Sequence, residues 1–153
     1  MRLNRLEFAF SIALALSCGA GIACAEQAPG SNAAIVGTWK TPKNDGKVII
    51  EPCGGNAVCG RVADGRQLRA NPDQTDVHNP DPAKRTRRIL GLNILAGYTG
   101  GPTEWTGGSV YDPQTGDSSR DSTLTLKSSD TLVVKGCRLF FCRSETWTRI
   151  ASQ

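Results

Sequence analysis

A chain of 153 residues with no internal repeat and no low-complexity tract has room for one domain and one hydrophobic core, not two. Its formal charge of +4 falls to +3 without residues 1–25, which hold Arg2, Arg5 and Glu7, and so mild a balance argues against a nucleic-acid partner.

The first segment sets the compartment. MRLNR carries two arginines, LEFAFSIALALS is mostly apolar but short for a bilayer span, and ACA before Glu26 puts small residues at both positions that specify cleavage. A signal peptide over residues 1–25 is expected. The mature chain, residues 26–153, is then periplasmic or secreted and has no transmembrane segment. Cys18 follows LALS as an acylated cysteine would, yet Ala15 stands three before it where such signals place leucine, so a soluble product is favoured over a tethered one. EQAPGSNAA, residues 26–34, reads as a flexible lead-in.

Cys18 and Cys24 leave with the leader, and Cys53, Cys59, Cys137 and Cys142 remain in an oxidising compartment. Neither pair is C-x-x-C, and the spacing is loose for zinc, so disulfides are expected. Pairing within CGGNAVC and within CRLFFC suits cysteines at the two ends of tight turns, each closure stabilising by roughly 2 kcal/mol. Bridges joining the two clusters are the alternative.

From Ile35 onward, short apolar or alternating runs are separated by Gly, Pro, Asn and Asp, the pattern of antiparallel strands. IVGTWK, KVIIEP and AVCGRV come first, with NDG turning between the first two. RQLRANPDQTDVHNPDPAKRTRR then forms a loop of unusual length. ILGLNIL, TEWTGGSVYD, STLTLK, TLVVKG and SETWTRI follow, with DPQTGD and SSD as turns. Eight strands and no convincing helix predict an all-β, eight-stranded antiparallel barrel over residues 35–150, because closure removes exposed edges. ILGLNIL is counted as a strand, although so short an apolar run also reads as a helical turn.

GTWKT, CGGNAVCGRV, NPDPAKRTR, ILGLNIL, EWTGGSVYDPQTG, LVVKG and TWTRI, in this order, resemble domain-of-unknown-function family 2147, small exported bacterial proteins. The resemblance covers nearly all of residues 35–150 and implies a lipocalin-like (calycin) barrel that binds small molecules. One departure concerns the turn after YDPQTG, where Asp117, Ser118 and Ser119 replace the family's usual aromatic residue. GTW, Gly37 to Trp39, looks like the lipocalin G-x-W signature, whose Trp plugs the closed end beneath an arginine of the last strand. Arg149, two residues after Trp147, fits that arginine, so Gly37, Trp39, Trp147 and Arg149 are assigned to barrel closure.

A ligand would then enter at the opposite mouth. Leu90, Leu92, Leu95, Tyr98, Trp105, Val110 and Tyr111 are candidate lining residues. Leu124, Leu126 and Val133 face the same space in this reading, although each position is also ordinary core material. Asp73, Asp76, Asn79 and Asp81 gather oxygen donors, but their spacing does not match a calcium loop and nearby prolines explain them as turn formers. No metal or cofactor is assigned. KRTRR, residues 84–88, is a solvated charge run or an anion-facing patch. No catalytic residue is assigned either: His78 lies in the proline-rich loop, no G-x-S-x-G elbow exists, and nothing pairs Glu104 with Glu145. Two functions remain, a carrier of a small apolar or amphipathic molecule and an inhibitor-like module that binds an envelope protein through the 64–88 loop.

Overall fold

The computed structural model describes residues 32–151. The expected leader and most of the lead-in lie outside the described residues. Eight antiparallel strands close into a single barrel: β1 (Gly37–Lys40), β2 (Lys47–Gly54), β3 (Ala57–Asp64), β4 (Asn93–Gly100), β5 (Glu104–Asp112), β6 (Asp117–Ser128), β7 (Thr131–Arg138) and β8 (Phe141–Ile150). Each strand pairs with its neighbour in sequence, and β8 returns to β1. That last seam is the shortest, with Thr38 opposite Ile150, Trp39 opposite Arg149 and Lys40 opposite Thr148.

The strands extend the sequence pattern with two adjustments. β4 begins at Asn93 rather than Ile89, because residues 89–92 turn on Gly91 (φ 82°) while Gly91 and Leu92 exchange backbone bonds with Val62. The long loop contains a short helix, α1 (Arg66–Ala70), whose Leu68 is buried. This helix follows Gly65, whose amide donates to the Asp64 carboxylate at 2.7 Å.

Inward side chains fill one half of the barrel. Leu95, Tyr98, Trp105, Leu124, Leu132, Ile50 and Val58 are all fully buried. Glycines make room for the largest: a Cβ at Gly60 would meet Leu95 Cδ1 at 2.8 Å, and one at Gly108 would enter the Tyr98 ring. The Tyr98 hydroxyl is satisfied by Ser122 Oγ at 2.6 Å, which donates onward to the Gly108 carbonyl at 2.7 Å, and burial pushes the phenol pKa up to about 12.

Residues 32–36 lid this half. Trp39 Nε1 donates to the Ile35 carbonyl at 2.9 Å, and Trp105 Nε1 donates to Asn32 Oδ1 at 2.8 Å. The Arg149 guanidinium stacks 4.2 Å from the Trp39 ring and donates to the carbonyls of Ala34, Val36 and Ser129 at 2.5, 2.8 and 2.6 Å. Gly37 (φ 140°) is required beside it, since a Cβ there would sit 2.6 Å from Arg149 Nη1. Asn32 and its neighbours, the end of the expected lead-in, therefore belong to the lid. The disulfide Cys53–Cys59 staples the β2–β3 turn at this end, and Cys137–Cys142 staples the β7–β8 turn at the other.

Arg149→Met should cost about 3 kcal/mol, from the lost stacking and charge-assisted hydrogen bonds. Arg149→Lys should recover little, because one ammonium cannot serve three carbonyls and an indole face together. Urea unfolding measures both; a loss under about 0.5 kcal/mol for the Met variant would mean that the lid closes without the guanidinium.

Candidate ligand cavity at the open end

The half of the barrel away from the lid is hollow. An open cavity of about 920 Å³ is bounded by the β1–β2, β3–β4, β5–β6 and β7–β8 connections. Its floor is apolar: Val48 and Val62 from β2 and β3, Ile94 and Val110 from β4 and β5, Val134 from β7 and Trp147 from β8. Leu68, Ile89 and Tyr111 extend this surface up the side formed by the long loop. These positions follow from strand alternation, which sends every second side chain inward.

The rim is polar. Lys43 Nζ lies 2.7 Å from Glu145 and 3.9 Å from Asp112, and Trp147 Nε1 donates to the other Glu145 oxygen at 3.3 Å. The hydrogen bond to Glu145 raises the Lys43 pKa above its ordinary value, so the ammonium stays charged at neutral pH. Arg143, His78, Gln74 and Ser118 also line the cavity, as do Lys47, Asp64, Asp117 and Arg138. The Asp117, Ser118 and Ser119 segment leaves the wall small and polar here, and Ser119 Oγ donates to the Cys137 carbonyl at 2.5 Å.

A buried carboxylate fixes the long loop that forms one wall. Asp76 is fully buried and accepts from Tyr111 Oη at 2.6 Å, Asn79 Nδ2 at 2.9 Å and Arg87 Nε at 2.9 Å. Burial pushes its pKa up, but the bonds from Tyr111, Asn79 and Arg87 outweigh burial and hold it below the ordinary 3.8. Tyr111 moves the opposite way, raised by burial and by its bond to Asp76. The same loop rests on the β5–β6 turn, where Gly116 (φ 77°) is needed because a Cβ would run into the His78 carbonyl.

Of the lining candidates read from sequence, Val110 and Tyr111 border the cavity. Leu95, Tyr98, Trp105 and Leu124 lie in the filled half, and Leu92 and Leu126 pack partly buried against the hydrophobic core, Leu92 from the open end just before β4. Leu90 is exposed in the turn before β4, and Val133 alternates with the buried Leu132 and Val134 and so faces outward. Trp39 and Arg149 meet at the lid, whereas Trp147 lies nearer the mouth and forms part of the cavity floor. Sequence reasoning did not single out Lys43, Arg143, Val48, Val62, Ile94 or Val134. Strand parity marks the apolar four as inward, but nothing local marks their height in the barrel.

The acidic cluster of the loop is internally engaged. Asp73 pairs with Arg88, Asp76 with Arg87, and Asp81 with Lys84 and the Ala83 amide. Among the described residues no group of three or more His, Cys, Asp or Glu side chains is placed to hold a metal ion. Glu104 and Glu145 sit on different strands, β5 and β8, that do not pair.

An eight-stranded antiparallel barrel, lidded at one end and hollow at the other, defines a lipocalin-like protein. Among solved structures its fold matches protein HP1028 from Helicobacter pylori, described as belonging to the lipocalin family, with a TM-score of 0.66, 17% identity, and coverage of 76% of this chain and 82% of that one. Residues 37–149 match the family described as uncharacterized protein conserved in bacteria (DUF2147), and the chain belongs to that family. No curated protein matches it.

The Asp76 network should make stability sensitive to acid. Its folded-state pKa lies below the unfolded one, so the ionised carboxylate contributes stability above about pH 4 and loses it as pH falls through the folded value. Asp76→Asn should lower stability near neutral pH by about 2 kcal/mol and flatten the acid limb of the stability curve. Urea midpoints from neutral pH into acid test this; an equally steep acid limb in the variant would assign the titration to another group.

Proposed function

We propose that the protein is an exported carrier that holds one small amphipathic molecule in the open half of its barrel, with the apolar part on the Val48, Ile94, Val134 and Trp147 floor and the polar part among the rim charges. The observation that carries this reading is the division of the cavity: about 920 Å³, apolar below and charged above. That volume lies within the range of small-molecule sites. The lining carries Lys43, Lys47, Arg138 and Arg143 against Asp64, Asp112, Asp117 and Glu145, which suits a strongly polar head group. Arg143, in no ion pair among the described residues, is the cation free to meet an anionic one. Lipocalin-like architecture and the family match agree with small-molecule binding as the class of function.

The reading of export is supported by the expected leader and by two disulfides within the described residues, which suit an oxidising compartment such as the periplasm or the cell exterior. Among those residues no helix is long and apolar enough to cross a membrane. The alternative of a protein-binding module loses support from the loop itself. Arg85 donates to the Asn79 carbonyl at 2.8 Å, and Arg87 and Arg88 pair with Asp76 and Asp73, so these arginines are engaged within the loop.

Anilinonaphthalene sulfonate, with fused rings and one anionic group, is a suitable probe. Fluorescence titration should give saturable one-site binding that Val134→Trp weakens by at least about tenfold by filling the floor. Lys135→Trp, on the outer face of the same strand, should leave it unchanged. Equal affinity in both variants would place the probe outside the cavity and overturn the carrier reading. Native mass spectrometry of protein purified from its own cells without detergent should then identify the molecule it carries.

A further inference from the structure

Every large hydrophobic side chain exposed among the described residues lies in a connection at the open end or, for Phe141, at the first strand residue beside one: Val77, Leu90, Leu139, Phe140 and Phe141. Three of them are consecutive. Leu139, Phe140 and Phe141 are 89%, 96% and 81% exposed at the tip of the β7–β8 hairpin, beside the cavity mouth. Scattered apolar exposure is ordinary, but a contiguous apolar tip on one end of a molecule is not.

The turn itself argues that these residues serve more than chain reversal. Arg138 pairs with Phe141, so Leu139 and Phe140 form a two-residue loop, and Leu139 occupies the left-handed region at φ 55°. Hairpins of this length favour glycine, asparagine or aspartate there. A leucine at that position works against local preference. The Cys137–Cys142 bridge closes the hairpin directly behind the tip, so the exposed side chains cannot be withdrawn by fraying of the turn.

Charge around the tip indicates what covers it. Arg138 and Arg143 flank the three apolar residues; Arg138 has only an exposed pairing with Asp117 at 3.3 Å, and Arg143 makes no ion pair among the described residues. The 65–92 segment at the same end adds six cations against three acids. Lys84, Arg87 and Arg88 are paired with those acids and Arg69 with Asp45 and Asp64, which leaves the segment a net positive charge carried by Arg66 and by Arg85, whose partner is the neutral Asn79 carbonyl. Apolar side chains projecting from a cationic rim match the layered chemistry of an anionic lipid leaflet, phosphate outside and acyl chains beneath.

We infer that the open end docks on anionic membrane surfaces, with Leu139, Phe140 and Phe141 inserted at the boundary between head groups and acyl chains. Leu139 and Phe141 also border the cavity, whereas Phe140 does not, so a change at Phe140 tests docking without altering the cavity wall. Docking would bring the cavity mouth to the lipid.

Vesicle flotation tests the inference with residues 26–153, because the apolar leader would bind lipid by itself and the whole barrel and lid lie within residues 32–151. Protein should float with vesicles of equimolar phosphatidylglycerol and phosphatidylethanolamine, less as salt rises, and not with phosphatidylcholine alone. Phe140→Ser should reduce partitioning about tenfold, as expected for one aromatic side chain withdrawn from the lipid boundary. Phe140→Trp should bind like the original and show blue-shifted emission quenched by brominated acyl chains; the native Trp39, Trp105 and Trp147 are buried and contribute a constant background. Failure to float with anionic vesicles, or undiminished flotation of Phe140→Ser, would overturn the inference. So would concentration-dependent self-association that Phe140→Ser abolishes without vesicle binding, which would show a second copy covering the tip.

Discussion

Closure of the barrel depends on the pair formed by Trp39 and Arg149. Seven of the eight strand junctions are made by hairpins or a single long crossover, and their proximity in sequence helps them form. The eighth joins the two ends of the domain through three residue pairs, and Trp39 opposite Arg149 is the middle one. Both side chains point inward, so the guanidinium covers the indole within the seam itself. Its remaining donors reach residues 34 and 36 of the lid and residue 129 in the β6–β7 turn. One side chain thus ties together the first strand, the last strand, the lid and an adjacent turn. An edge left open there would expose unpaired backbone groups along β1 and β8.

With one end lidded, the interior divides according to side-chain volume. Gly60 and Gly108 admit Leu95 and Tyr98 near the lid, and Trp105 and Trp39 fill what is left. Toward the mouth most inward strand positions carry valines, Ile94 and Gly136, which together with Trp147 do not fill an eight-stranded ring. A dry void of that size would cost far more than a small domain can bear. The cavity avoids that penalty by opening to solvent between charged residues. It is kept open by the long loop, whose position depends on Asp76 buried against Tyr111 of β5.

How much of this was legible in the sequence follows from which interactions are local. Strands and turns were readable because glycine, asparagine and aspartate act within a few residues: NDG, CGGNAVC, DPQTG and SSD each reverse the chain where the sequence places them. Closure near Trp39 was readable through the resemblance of residues 37–39 to the lipocalin G-x-W signature, whereas the lid was not, because Asn32 and Ala34 lie in a stretch whose small polar residues read as a flexible lead-in. Nor was cavity height. Alternation gives the face of a strand but not its level along the barrel, and bulges in the β3–β4 and β5–β6 pairings shift that level locally. Trp105 and Val110 are both inward on β5, yet one is fully buried in the filled half and the other borders the cavity. The contact of Asp76 with Tyr111 spans 35 residues and has no local signature at all.

The two disulfides show how the same local chemistry acquires different meanings at the two ends. Both close short loops and constrain the unfolded chain by similar modest amounts. Cys53–Cys59 staples a polar turn beside the lid, where Asn32 donates to the Asn56 carbonyl at 2.8 Å, so it reinforces the filled half. Cys137–Cys142 staples a turn whose apolar residues remain largely exposed. The second staple adds little to core packing; its physical effect is to keep an apolar tip projected past the cavity mouth. The lidded end of this barrel is thus organised around burial, whereas the open end leaves an apolar floor and an apolar tip uncovered.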